Sequence, residues 1–144
     1  MILSKKILIL EDNLRVLSKI LERLATLEED QLYDLCVITL SDYTQVEKYI
    51  NNNPKAEFDV ILLDRDCKLG GSFHVLDIER FGANKIIAIS SVPKWNEEAK
   101  KRGVKKVIEK DPLHRDEFVE KVVKEIEKMI RGKSLINLRR LLKK

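Results

Sequence analysis

Five short apolar runs recur along the chain, each bounded by charged or turn-forming residues. They cover residues 3–10 (LSKKILIL), 35–40 (LCVITL), 59–64 (DVILLD), 85–91 (KIIAISS) and 104–110 (VKKVIEK). Each run has the length of a strand and is rich in Ile, Leu and Val, which is typical of strands covered on both faces of a sheet. The pattern predicts five buried strands.

Segments of helical length separate these runs, and two of them carry clear apolar stripes. The stripe of the first comprises Leu14, Leu17, Ile20, Leu21 and Leu24, and that of the last comprises Phe118, Val122, Ile126 and Ile130. Both follow the 3.6-residue period of an amphipathic helix. Strands that alternate with helices predict a parallel sheet with right-handed crossovers and helices on both faces.

Local signals place the helix boundaries. Asp12 or Asn13 is expected to cap the first helix, Ser41 or Asp42 the second, and Pro93 opens the fourth. The third helix is expected to be short, over about residues 73–80.

Length and charge limit the function classes. The 144 residues suit one domain with a single substantial core, and no apolar run approaches the about 18 residues of a membrane span. No cleavable leader is apparent at the amino terminus, and Cys36 and Cys67 form neither a metal spacing nor a disulfide framework. We therefore expect a cytoplasmic protein.

The net charge of +4 is concentrated at the carboxyl end. Residues 132–144 hold five basic residues and no acid, which leaves residues 1–131 near −1. We expect a domain over 1–131 that does not bind DNA through its body, and a short basic amphipathic tail over 132–144 without a separate output domain. The tail leucines either pack on the body as a continuation of the last helix or form a docking or dimer element.

Polar side chains gather where the predicted strands end. Glu11 and Asp12 follow the first strand, Asp64 ends the third, Ser90 and Ser91 end the fourth, and Lys110 ends the fifth. Each alone is an ordinary cap or turn residue. Together they are expected at one edge of the sheet, where open α/β sheets bind their ligands.

The segments ILILEDN, DVILLD, IIAISS and VIEKDP, in this order over about residues 4–130, resemble the receiver domain of two-component response regulators. The resemblance is to the chemotaxis-type, flavodoxin-like receiver. It implies a doubly wound α/β (βα)5 fold with a five-stranded parallel sheet in the order 2-1-3-4-5. It also implies a phosphorylation-dependent switch in a phosphorelay, which is not an enzyme.

The resemblance implies a role for each residue at this edge. Asp64 would accept the phosphoryl group, the Ser90 hydroxyl would bind a phosphoryl oxygen, and Lys110 would pair with the group. A Mg²⁺ or Mn²⁺ ion would be held by Glu11, Asp12, Asp64 and the backbone carbonyl of Asp66. Independently, clustered carboxylates repel one another, and a hard divalent cation compensates their charge.

Implied partners are a sensor histidine kinase or phosphotransfer protein as donor and an output protein, with a homodimer as a further option. One departure concerns the switch, because Val107 stands where receivers usually have an aromatic residue. A pseudo-receiver that binds partners without phosphorylation is therefore an alternative. Less favoured are a Mg²⁺-dependent phosphatase and a Toprim-like nuclease that would use Glu11, Asp64 and Asp66.

Overall fold

The computed structural model describes residues 3–30, 33–66 and 72–142, with the backbone alone for Leu3 and residues 132–142. Cys67 and the leucine side chains of the tail therefore lie outside the described part. Cys36 is exposed on the second strand.

The described residues form five strands and four α-helices, with an α-helix after each strand except the second. The strands are β1 (Leu3–Leu10), β2 (Tyr33–Leu40), β3 (Val60–Asp64), β4 (Ile86–Ser90) and β5 (Lys106–Glu109). The α-helices are α1 (Leu14–Asp30), α2 (Ile78–Phe81), α3 (Pro93–Lys101) and α4 (Arg115–Leu142). Short 3-10 turns lie at Tyr43–Gln45, Phe73–Val75 and Ala83–Lys85, and one π-helical turn lies at Glu47–Asn51.

The strands form one parallel sheet in the order β2-β1-β3-β4-β5, which confirms the predicted fold and strand order. All residues of β3 and β4 are buried, whereas the edge strands β2 and β5 are partly exposed. In a strand that is buried on both faces, every side chain packs in the core, so polar side chains are found at the ends of the strand. The side chains that can carry chemistry are therefore placed at the ends of β1, β3 and β4.

Two apolar layers cover the sheet. On one face, side chains from β1, β3 and β4 pack against α1 and α4, and the buried residues of α4 include Phe118, Val122, Ile126 and Ile130. On the other face, alternate residues of the same strands pack against residues 46–50, α2 and α3. The stripe predicted for the last helix is confirmed.

The stripe predicted for α1 was partly wrong. Ile20 and Leu24 are buried as predicted, but Leu14 is 69% exposed and Leu21 lies at the surface, while Val16 and Leu27 are buried instead. The cause is packing, because the face that carries Val16, Ile20, Leu24 and Leu27 contacts the sheet and α4, and Leu14 lies outside that face. Asn13, one of the two predicted caps, caps α1, since its Oδ1 accepts N–H groups of the next turn.

The second crossover contains no α-helix among the described residues. Asp42, one of the two predicted caps, caps the 3-10 turn at Tyr43–Gln45, because its Oδ1 accepts the N–H of Thr44 at 2.9 Å. The chain then makes only the 3-10 and π turns. The third helix is short, as predicted, but it begins at Ile78 behind an Asp77 cap and ends at Gly82, whose φ of +92° favours glycine.

The last helix continues without a break through Gly132 to Leu142. The division into a body and a tail at residues 131 and 132 remains a prediction, because nothing described for the tail bears on its packing. No helix among the described residues is long and apolar enough to cross a membrane.

The packing of α1 predicts a contrast between two of its apolar residues. Ile20→Ala should lower the free energy of unfolding by about 3 kcal/mol, because it leaves a cavity in the layer under α4. Leu14→Ala should change it by less than about 0.5 kcal/mol, since most of that side chain is already in water. Urea unfolding of both variants measures the difference, and equal losses would contradict the assigned face of α1.

Candidate functional site

The carboxyl ends of four strands bring the predicted polar residues to one edge of the sheet. Glu11 and Asp12 directly follow β1, Asp64 is the last residue of β3, Ser90 is the last residue of β4, and Lys110 directly follows β5. Parallel pairing aligns these ends, because Leu10 lies beside Leu63 and Ser90 lies beside Glu109. The predicted site residues therefore converge in space.

Three acids form the centre of the cluster. One carboxylate oxygen each from Glu11, Asp12 and Asp64 lies within 4.8 Å of the others. Glu11 and Asp64 are fully buried, and Asp12 is partly exposed. Glu11 is oriented by its own chain, because its Oε2 accepts the N–H of Asp12 at 3.0 Å.

Lys110 supplies the positive charge beside these acids. Its Nζ lies 2.7 Å from Glu11 Oε1, 3.4 Å from Asp64 Oδ2 and 4.0 Å from Asp66 Oδ2. The backbone of Lys110 is also fixed, because its N–H donates to the Ser90 carbonyl at 2.9 Å. One ammonium thus lies beside the two fully buried carboxylates of the cluster, those of Glu11 and Asp64.

Burial and the neighbouring charges shift the pKa values of Asp64 and Lys110. Burial, followed by the adjacent Glu11 carboxyl, raises the pKa of Asp64 above its ordinary value, and the smaller opposing effects of Lys110 and the Asp66 N–H do not cancel this. Burial alone lowers the pKa of Lys110, but the charges of Asp64 and Glu11 outweigh it and raise that pKa. The site therefore holds a protonated lysine and an excess of acid.

The residues fit a divalent cation. Asp64 Oδ2 is buried and accepts no hydrogen bond from the described residues, so its lone pairs are available to a ligand. Three convergent carboxylates offer the hard oxygen donors that Mg²⁺ and Mn²⁺ prefer. The predicted ligand role of the Asp66 carbonyl stays a prediction.

The carboxylate of Asp66 has a role that the sequence analysis did not predict. Its Oδ1 accepts the Ser90 hydroxyl at 2.6 Å and the Ser91 N–H at 2.9 Å, and its Oδ2 accepts the Ser91 hydroxyl at 3.0 Å. Only its N–H reaches Asp64, donating to Oδ1 at 3.0 Å. The sequence feature that pointed to Asp66 was its position two residues after Asp64. From this position its carboxylate reaches the end of β4.

Arg65 lies between the two aspartates and is directed away from the acids. It is fully buried, and its guanidinium forms an ion pair with Glu98 of α3. Its N–H donates to the Ile89 carbonyl at 2.8 Å, which extends the β3–β4 pairing past Asp64. Through Arg65, the segment after the candidate acceptor is tied to the surface helix α3.

Two cavities help to locate the site. A cleft of about 130 Å³ adjoins the acid cluster, and Asn13, Asp66, Lys110 and Arg115 are among its lining residues. A larger cavity of about 600 Å³ lies at the opposite end of the sheet. Its Arg80 is committed to structure, since the guanidinium donates to backbone carbonyls of residues 50–56. The smaller cleft is the better candidate.

The acid cluster predicts that Asp64 destabilises the metal-free fold. Asp64→Asn should raise the free energy of unfolding near neutral pH by about 1–2 kcal/mol, because Asp64 ionises more readily in the unfolded chain than in its buried place beside Glu11, and Asn does not ionise. Since the folded-state pKa of Asp64 is raised above the ordinary 3.8, stability is lost as pH rises from 3.8 through the raised value. The gain should therefore vanish below roughly pH 4.

Urea unfolding in chelator across this pH range measures the effect. Asp59→Asn is the matched control, because Asp59 is an exposed aspartate at the opposite end of the same strand run. A loss of stability in Asp64→Asn at neutral pH would contradict the proposed repulsion.

Comparison with known proteins yields structural relatives only. No family model matches the chain, and no curated protein sequence matches it. The phosphorylated cyanobacterial phytochrome response regulator RcpA matches with a TM-score of 0.70 and 22% identity, over 90% of this chain and 95% of its own. The Mn²⁺-bound response regulator Rcp1 matches with a TM-score of 0.65 and 21% identity, over 85% and 91%.

A third solved structure, the bacteriophytochrome response regulator RtBRR, is 25% identical with a TM-score of 0.54, over 85% of this chain and 77% of its own. These likenesses extend over most of each protein. Because the identities are low, they establish architecture and leave the chemistry to the site residues. The chain has the α/β fold of response regulator receiver domains.

Proposed function

We propose that this chain is a receiver-type signalling module that accepts a phosphoryl group on Asp64 and acts through protein–protein contacts. The convergence of Glu11, Asp12 and Asp64 around Lys110 at the carboxyl edge of a receiver-like sheet carries the proposal. Aspartate carboxylates are established nucleophiles in phosphoryl transfer.

Asp64 would act through Oδ2, which is buried and free of hydrogen bonds from the described residues. An Asp64 oxygen–phosphorus bond would form while the bond from phosphorus to the donor breaks, and the donor would leave with the electron pair. Lys110, 3.4 Å from Oδ2, would compensate negative charge on the phosphoryl oxygens. The Ser90 hydroxyl would donate to one of these oxygens.

A Mg²⁺ or Mn²⁺ ion would be held by Glu11, Asp12 and Asp64, with the Asp66 carbonyl as a further ligand. When bound, it would supply positive charge that lowers the repulsion between the carboxylates and the incoming phosphoryl group. The Mn²⁺-bound state of Rcp1 supports this choice of cation by analogy. Lys110 remains necessary, because it faces Glu11 and Asp64 together.

The proposed donor is a sensor histidine kinase or phosphotransfer protein, and the proposed output is contact with a further protein in the cytoplasm. Residues 1–131 would form the receiver, and residues 132–144 would extend the last helix as a basic tail. The module would not turn over a substrate; it would be modified stoichiometrically.

One alternative has structural support. A pseudo-receiver that binds partners without phosphorylation is favoured by Val107, which packs against the apolar layer under α3 where an aromatic residue is usual in receivers. A Toprim-like nuclease is not supported. Its third acid would be Asp66, whose carboxylate contacts Ser90 and Ser91 and is absent from the candidate metal group.

Phosphorylation is tested with acetyl phosphate and Mg²⁺, followed by intact-mass measurement. Wild type should gain one phosphoryl group and release acetate, because Asp64 provides one buried nucleophile. Asp64→Asn should gain none, and Asp59→Asn should behave like wild type because Asp59 lies at the other end of the strand. Retention of the adduct in Asp64→Asn would contradict the assignment.

Cation binding is tested separately by thermal unfolding. Mg²⁺ at about 100 times its dissociation constant should stabilise wild type by about 2.7 kcal/mol through mass action. Asp12→Asn should abolish most of this gain, because it removes one of the three convergent carboxylates. Asp116→Asn is the control, since Asp116 pairs with Lys19 on the surface. Equal stabilisation of Asp12→Asn and wild type would contradict the metal site.

A further inference from the structure

The carboxylate of Asp66 is bound as an oxyanion at the end of β4. It accepts three hydrogen bonds, from the Ser90 hydroxyl, the Ser91 N–H and the Ser91 hydroxyl, at 2.6, 2.9 and 3.0 Å. Lys110 Nζ lies 4.0 Å from its Oδ2. This donor set, two hydroxyls, one amide and one ammonium, is the kind that binds a phosphoryl group.

Two of these donors are those that phosphorylation requires. The Ser90 hydroxyl and Lys110 are the groups assigned above to the phosphoryl oxygens, and both already face the Asp66 carboxylate. Ser90 is fully buried, so its hydroxyl has few other acceptors: the Val92 carbonyl at 3.3 Å is its second contact. An oxygen of a phosphoryl group on Asp64 would need the Ser90 hydroxyl that Asp66 now holds.

Contacts of its own N–H and of the preceding residue hold Asp66 in this position. Its N–H donates to Asp64 Oδ1, and the preceding residue, Arg65, is anchored by its N–H to β4 and by its guanidinium to Glu98. The carboxylate therefore meets Ser90 and Ser91 without further ordering of the chain. Preorganisation of this kind makes a contact more favourable, because its entropic cost is already met by the fold.

We propose that the Asp66 carboxylate is a built-in competitor for the phosphoryl group of Asp64. It occupies the Ser90 and Ser91 donors in the unmodified protein and must leave them when Asp64 is phosphorylated. This inference rests on the proposed function and adds its regulation. Electrostatics act in the same direction, since a phosphoryl group carries close to two negative charges and would be repelled by the carboxylate that fills its site.

The competition also offers a readout that does not require an aromatic residue at Val107. Release of the Asp66 carboxylate would free the N–H and the hydroxyl of Ser91, which lies two residues before Pro93, the first residue of α3. The signal would thus reach α3 from the end of β4. Bistable contacts of this kind convert a local charge into a surface change.

The competition is tested by the rate of labelling with acetyl phosphate and Mg²⁺. Asp66→Ala should be labelled at least about tenfold faster than wild type, because a charge-assisted contact no longer has to be broken. Asp66→Asn keeps an acceptor but loses the charge, and should fall between the two. Asp116→Ala is the control for the loss of one negative charge at the surface, and should match wild type.

A second measurement tests the contact without any phosphodonor. Amide hydrogen exchange at Ser91 should be slow in wild type and Asp66→Asn, because Oδ1 accepts this N–H. It should be at least about tenfold faster in Asp66→Ala, where the acceptor is lost and Ser91 is exposed. Mg²⁺-induced stabilisation of each variant verifies that the acid cluster is intact.

The outcomes separate the two proposals. Labelling of Asp66→Ala and Asp66→Asn at or below the wild-type rate, with Mg²⁺ binding retained, would overturn the competition and leave Asp64 as acceptor. Unchanged Ser91 exchange in Asp66→Ala would overturn it as well. Absence of an adduct on every variant, wild type included, would contradict the proposed function and the competition together.

Discussion

The ammonium of Lys110 is the interaction on which the candidate site depends. It lies 2.7 Å from Glu11 and 3.4 Å from Asp64, two acids that are fully buried. A buried carboxylate without a partner costs free energy of folding. Glu11 and Asp64 are neighbours because they stand at the carboxyl ends of the adjacent parallel strands β1 and β3. Lys110 makes the arrangement tolerable in the folded protein, and the remaining excess of negative charge makes it receptive to a cation.

The burial of the central strands explains why the site is small and lies at the carboxyl ends of the strands. The central strands are covered on both faces, so at the carboxyl edge of the sheet the polar side chains begin just after Leu10, at Asp64 and at Ser90. At Asp64, stability of the fold and the proposed function are opposed. The raised pKa of Asp64 is the sign of that opposition, because it reports a carboxylate that the fold holds at a cost.

Much of this could be predicted from the sequence. Strand positions, strand order and the convergence of Glu11, Asp12, Asp64, Ser90 and Lys110 follow from apolar runs and from resemblance, because parallel strands align their ends. The buried face of α4 was predicted, but that of α1 was less predictable. Several apolar registers of α1 are compatible with the sequence, and packing against the sheet and α4 selects the one that buries Val16, Ile20, Leu24 and Leu27.

The position of the Asp66 side chain could not be predicted, because it depends on how the chain turns after β3. The turn is set by tertiary contacts, namely the anchoring of Arg65 to β4 and to Glu98. Sequence spacing indicated an acid near the site, and only the structure distinguishes a metal ligand from an acid that binds Ser90 and Ser91.

Our central claim, which remains a proposal, is that Asp64 is a phosphoacceptor in a site already partly filled by Asp66. The most direct test traps the acyl phosphate with borohydride after treatment with acetyl phosphate and Mg²⁺, which reduces a phosphorylated aspartate to homoserine. Peptide mapping should then find homoserine at the position of Asp64 and only when the divalent cation is present. Homoserine at the position of Asp12 or Asp66, 5-hydroxynorvaline at the position of Glu11, or no reduced residue at any position would contradict the claim.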